Sequence, residues 1–152
     1  MGSPYIHLDQ IRGVILDWDG VIAESRLDFT PIREKYFGGR RVPLLEAAAE
    51  MQEPLKTELM NAIRDEEMRG AARSAAVAGA FDFISLLDGR RIPWCVLSRN
   101  CRESIERAAQ SIGFTLPPQT FGREARYVKP DPRALTDAAQ SIGVPASPCL
   151  VV

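Results

Sequence analysis

The sequence predicts an α/β fold: a parallel sheet with helices on both faces, plus a small all-helical segment inserted after the first strand. Three observations carry this. Apolar runs of strand length recur at 13–17 (GVILD), 92–97 (IPWCVL) and 149–152 (CLVV). Stretches with helical spacing separate them, and alternating strands and helices make a parallel sheet covered on both sides. Polar residues follow the runs directly: Asp17 and Asp19 after the first, Ser98, Arg99 and Asn100 after the second. Open parallel sheets form their sites at those strand ends.

Taken in order, 13–17 reads as a buried strand, apolar until it meets acid and glycine. The mixed stretch DGVIAESRLDF after it suits a turn or a short hairpin. From Thr30 to about Ala78 the pattern is helical and rich in Ala, Glu and Arg. Pro31 stands at a helix start, Pro43 opens LLEAAAEM, and Pro54 opens a long helix with Leu55, Leu59 and Ile63 at four-residue spacing. An amphipathic helix over 79–88 ends at Gly89, before the second strand, where Pro93 sits near the start. The next helix, 101–112, has Ile105, Ala108, Ala109 and Ile112 on one face and Gly113 just past its end. A minor strand fits 120–121. Asp131 caps a helix with Pro132 in its first turn, which closes at Gly143. The hexapeptide AAQSIG occurs at 108–113 and again at 138–143. Two helices of the same βα grammar explain it better than a functional repeat.

The 152 residues suit one domain with a small insertion. The 45% hydrophobic and 26% charged shares are those of a soluble globular protein. A net charge of −1 gives no electrostatic argument for a nucleic-acid or anionic-membrane partner. No apolar run approaches a membrane span, and no signal-peptide core precedes the first strand. Three cysteines, Cys95, Cys101 and Cys149, match neither a disulfide framework nor a zinc set. They read as structural thiols of a cytoplasmic protein. The single histidine, His7, precedes the first strand, which sets aside mechanisms built on a histidine base or a histidine metal cluster.

Asp17 and Asp19 stand one residue apart at a strand end. For both to reach one site the chain must turn between Trp18 and Gly20, since alternate strand side chains point oppositely. Two close carboxylates repel, so they want a cation, a shared proton, or a task that uses both protonation states. Mg²⁺ suits oxygen ligands and usually accompanies phosphate substrates. One carboxylate could then be nucleophile and the other general acid and base. A turn whose aspartates bond nearby amides explains DxDG equally well. Ser98 offers a hydroxyl and a turn with amides for phosphate oxygens, or alternatively a helix cap that Asn100 could also supply. Lys129, in KPDP, could neutralise a phosphoryl group, or simply be a solvated loop lysine.

The order DWDGVIAES, LSRN, VKPDP, CLVV resembles the haloacid dehalogenase-like hydrolases, whose core is Rossmann-like, and especially their phosphoglycolate phosphatase-like branch with a helical cap. The resemblance runs from about Ile11 to Val152. It implies a core of 1–27 and 79–152, with a cap of 28–78 closing over the site and selecting the leaving group. It implies Asp17 as the nucleophile forming an aspartyl-phosphate, and Asp19 as acid and then base. Asp17 and the carbonyl of Asp19 would hold Mg²⁺. Ser98 and Lys129 complete the implied catalytic set, and Trp18, Gly20, Ser98, Arg99, Asn100 and Lys129 bind phosphate. An aspartate at 19 points to a phosphatase or phosphomutase acting on a small phosphorylated metabolite, since dehalogenase and phosphonate-cleaving members lack it.

Relatives follow the strand corresponding to CLVV with further acids that complete the Mg²⁺ site, whereas this sequence stops at Val152. The expectation is a shortened core with an open sheet edge and weak activity or none. Glu24, Asp131 and the terminal carboxylate are possible substitutes, although a loop acid and a helix cap are simpler readings of the first two. Arg26, Arg33, Lys35, Arg40 and Arg41 could meet an anionic substrate, but a solvated basic face is the simpler reading. A non-catalytic module on the same fold is the alternative from another class. A receiver-type phospho-acceptor fits poorly, because it leaves no room for an insertion after the first strand. Substrate identity and oligomeric state are not encoded legibly.

Overall fold

The computed structural model describes residues 7–152. After a 3-10 turn at Leu8–Gln10, strand β1 (Gly13–Leu16) enters the centre of the molecule with all four residues buried. It pairs in parallel with β4 (Trp94–Leu97), Ile15 opposite Cys95, and with β6 (Cys149–Val151), Ile15 opposite Val151. The strand β5 (Thr120–Phe121) joins the far side of β4, so the sheet order is β5-β4-β1-β6.

Alternation along the strands divides the core by face. Val14, Leu16 and Val96 pack with Ile84 and Leu87 of α4 (Ala80–Gly89) and with Ile105, Ala108 and Ala109 of α5 (Arg102–Ile112). Ile15, Cys95 and Leu97 face the other way, onto Ala134, Ala138 and Ala139 of α6 (Pro132–Ser141). Helices thus cover both faces. The two AAQSIG copies end α5 and α6, presenting the same alanine pair to opposite faces of one sheet. Each closes on a glycine in the left-handed region, Gly113 at φ 69° and Gly143 at φ 76°. A residue with a side chain would be strained there.

The insertion lies between the two strands of a small antiparallel ribbon, β2 (Ala23–Glu24) and β3 (Ala75–Ala76). The mixed stretch after β1 is therefore half of a pair, closed by residues far along the chain, and not a local hairpin. The strand at Ala75–Ala76 lies inside what reads as a helical stretch, because pairing with β2 overrides the helix preference of alanine. Three helices follow β2: α1 (Thr30–Phe37), α2 (Leu44–Ala49) and α3 (Leu55–Ala72). The Asp28 carboxylate accepts the Thr30 amide at 3.0 Å ahead of α1. Ile32, Leu44, Ala48, Leu59 and Ile63 form a separate apolar cluster among these helices. Leu55 does not join it and is 52% exposed in the first turn of α3.

The lower half of α3 belongs to the core instead. Ala71 packs in the cluster that holds β1. Gly70 lets the helix approach β2 so closely that a Cβ there would meet the Ser25 carbonyl at 2.9 Å. Glu66 and Glu67 are buried on this inner face. Glu66 accepts the Asp28 amide at 2.8 Å and the Arg69 guanidinium at 2.9 Å. Among the described residues, no helix is long and apolar enough to cross a membrane.

Candidate active site

β1 ends by aiming the chain into a tight turn over Asp17–Ala23. The Trp18 carbonyl collects the amides of Val21, Ile22 and Ala23, and the Gly20 amide returns to the Ala23 carbonyl at 2.8 Å. Gly20 takes φ 78°, which other residues adopt only at a cost. The Trp18 ring is fully buried and packs on Phe114 with centroids 5.8 Å apart. It belongs to the core.

The turn brings both acids to one end of the sheet. The Asp17 amide donates to the Val152 carbonyl at 2.8 Å, so β6 holds the backbone on which this carboxylate stands. Asp17 Oδ1 accepts the Trp18 amide at 2.7 Å, and Oδ2 pairs with Lys129 Nζ at 3.0 Å. Lys129 arrives from the loop ahead of α6, distant in sequence. The pair is partly exposed, the side chains 42% and 25% accessible. Asp19 Oδ1 accepts the Ser25 amide at 2.9 Å, which orients its carboxylate. Both aspartates therefore do bond nearby amides, and each still has lone pairs to spare.

β4 places Ser98 beside them, since Leu16 pairs with Val96 and the chains run on in parallel. Ser98 is buried. Its amide donates to the Phe121 carbonyl at 2.9 Å, and its hydroxyl accepts the Asn100 amide at 3.1 Å. The helix cap is thus not the role of Ser98: Cys101 occupies that position without a capping bond from its own side chain. The Glu124 carboxylate accepts the first α5 amide, that of Arg102, at 2.9 Å.

Residues that the sequence motifs do not mark hold this loop. Glu67 of α3 accepts the Cys101 amide at 3.2 Å and grips Arg123 through two nitrogens, at 2.7 and 3.1 Å. Arg123 in turn donates to the Arg99 carbonyl at 3.2 Å, and its amide to the Asn100 carbonyl at 2.9 Å. Gly122 must be small, because a Cβ there would lie 2.9 Å from the Arg102 amide and 3.0 Å from the Asn100 carbonyl. The Arg99 guanidinium reaches back to Glu46 of α2 at 2.6 Å. That hydrogen bond holds the Glu46 carboxyl below the usual carboxylate range. A cavity of 380 Å³ lies between α2, α3 and this loop, with Lys129 and Arg99 in its lining.

The other acids considered as substitutes point elsewhere. Asp131 caps α6 and is bound by Arg133 at 2.7 Å, which depresses its pKa through hydrogen bonds. Glu24 is exposed on β2. The basic residues of the insertion mostly serve local contacts: Lys35 lies over the Tyr36 ring, and Arg40 donates to the Phe37 carbonyl. No group of three or more His, Cys, Asp or Glu side chains converges among the described residues. The oxygen donors at the turn nonetheless suit a hard cation. They are the Asp17 carboxylate and the Asp19 carbonyl, to which no hydrogen bond is made among the described residues.

No family model matches the chain. It is 25% identical over 137 residues to a haloacid dehalogenase-like hydrolase domain-containing protein of Arabidopsis thaliana, a match covering 83% of this chain and 56% of the relative. The chain thus spans little more than half the length of the curated relative it matches. Among solved structures, a hydrolase from Pseudomonas syringae superposes with a TM-score of 0.75 at 18% identity, over 92% of this chain and 73% of the other. A HAD family hydrolase from Deinococcus radiodurans R1, with bound phosphate and sodium, superposes with a TM-score of 0.61 at 21% identity, over 93% and 72%. The sheet order, the insertion after β1 and these likenesses agree, and the chain has the haloacid dehalogenase-like hydrolase fold.

Proposed function

We propose that this chain is a phosphomonoester hydrolase that works through an aspartyl-phosphate, with residues 28–78 as a cap over a core of 1–27 and 79–152. The contact between Asp17 and Lys129 at 3.0 Å carries the reading. It pairs the proposed nucleophile with a countercharge, next to a second acid and the Ser98 hydroxyl.

In the first half-reaction an Asp17 carboxylate oxygen attacks phosphorus while the bond to the leaving oxygen breaks. Asp19, oriented by the Ser25 amide, gives that oxygen its proton. In the second half Asp19 takes a proton from water, which attacks the phosphorus of the acyl-phosphate. Inorganic phosphate leaves and the Asp17 carboxylate returns. Lys129, the Ser98 hydroxyl and the backbone at Arg99 hold the phosphoryl oxygens. The Trp18, Gly20, Ser98 and Asn100 amides donate within the protein and fix the shape of the two turns. Mg²⁺ would be held by the Asp17 carboxylate and the Asp19 carbonyl, and when bound it neutralises phosphoryl charge. The phosphate bound to the Deinococcus neighbour is consistent with this ligand class.

The test is hydrolysis of p-nitrophenyl phosphate by this chain with Mg²⁺ and with EDTA, beside Asp17→Asn. Metal-dependent turnover that Asp17→Asn abolishes is expected. Turnover that survives the substitution would sink the mechanism. No turnover in any condition would favour a non-catalytic module on the same fold.

A further inference from the structure

On the phosphomonoesterase reading a leaving group extends past Lys129 into the neighbouring cavity, whose walls have an uncommon chemistry for a phosphate site. Its volume of 380 Å³ is near the small end of the roughly 300–1,000 Å³ range of ligand pockets. On the insertion side it is walled by Leu45, Ala48, Ala49 and Met60, and Val128 lines it from the loop that carries Lys129.

Its charged residues are mostly committed. Glu46 pairs with Arg99 at 2.6 Å, Arg123 with Glu67 at 2.7 Å, and Lys129 with Asp17 at 3.0 Å. Among the described residues, Lys56 on the exposed first turn of α3 and the Arg99 Nε, buried without a hydrogen-bond partner, remain. The lining contains no Ser, Thr, Asn, Gln, Tyr or His among the described residues. A sugar or polyol entering it would give up water and meet no neutral hydrogen-bond partner, which is costly. An alkyl chain needs no such partner, and each methylene moved from water into the apolar part of the walls favours binding by about fourfold.

Resting on the phosphomonoesterase reading, we propose that the cavity takes an apolar leaving group, so that the substrate class is the phosphate ester of a small hydrophobic alcohol. Ala49, at the exposed end of α2, and Met60, on α3, set the size of the chain it accepts.

The test measures binding and turnover separately on the full chain. Calorimetry compares pentylphosphonate with its terminal-diol analogue, neither of which can be hydrolysed. Steady-state kinetics compare pentyl phosphate with glycerol phosphate, both esters of alcohols without an activated leaving group. Pentylphosphonate is expected to bind at least about tenfold tighter than the diol. Ala49→Phe, which narrows the cavity from an exposed position, is expected to erase that preference. Equal binding, tighter binding of the diol, or no binding of either would overturn the proposal. Preferential binding without turnover of either ester would uphold the cavity assignment and sink the hydrolase reading instead. Turnover of both esters without preference would do the reverse.

Discussion

Lys129 sits a quarter exposed against an Asp17 side chain that is about two-fifths exposed. Such a pair is screened by water and adds little to folding stability. Its value under the proposed mechanism lies in the transition state, where charge spreads over the phosphoryl oxygens near its ammonium. Lys129→Met is therefore expected to lower kcat by about 10²- to 10³-fold and to leave the urea midpoint unmoved. Unchanged kcat would remove Lys129 from the machinery, and a shifted midpoint would make its role structural. The residue scale also resolves the cysteines. Cys95 is fully buried and its thiol is pushed up to about 12 by desolvation. Burial raises Cys101 and Cys149 as well. All three are thus poor nucleophiles at neutral pH, as structural thiols should be.

At the scale of elements, α3 is the member that joins insertion to core. Its Leu59 and Ile63 fill the apolar cluster of the insertion, while its Ala71 packs beside β1. Between them Glu67 reaches the loop after β4. Glu67 is 4% and Arg123 14% exposed at the side chain, so removing one partner strands a charge in a poorly solvated place. Glu67→Ala is expected to cost about 3–5 kcal/mol, read as a lower urea midpoint at constant m-value. Replacing both residues by apolar side chains of similar volume should cost much less, because no charge is then left unpaired. A Glu67→Ala protein as stable as the parent would show that water reaches this pair freely.

For the whole molecule, the sharing of α3 implies one cooperative unit. The insertion has its own apolar cluster, and a cluster of that kind could in principle melt first. Opposing this, α3 cannot lose its upper turns without loosening the lower ones that carry Glu67, Gly70 and Ala71. Both tryptophans, Trp18 and Trp94, lie in the core, while half of the helices lie in the insertion. Tryptophan fluorescence and far-ultraviolet dichroism are therefore expected to give coincident urea transitions. A dichroism change that precedes the fluorescence change would show that the insertion unfolds by itself.

Sequence alone determined the class of this protein, because the features that define it are local. Strand-length apolar runs, proline at helix starts, and the glycine that closes each AAQSIG copy are chemistry read within a few neighbours, and β1, α5 and α6 appear close to where those signals put them. The acids of DWDG and the apolar strand ahead of them were legible for the same reason. Which segments pair across long stretches of chain is set by the fold itself. Ala75–Ala76 reads as helix from its own propensity and becomes a strand because Ala23–Glu24 offers it hydrogen bonds. Glu67 is an ordinary charge in the middle of an Ala- and Glu-rich helix until folding sets it against Arg123 and the Cys101 amide. Lys129 is one of three lysines in the chain until α6 and the sheet place it 3.0 Å from Asp17. Local pattern records which backbone a segment prefers, whereas burial and ion pairing depend on neighbours that the chain meets only once the sheet has formed.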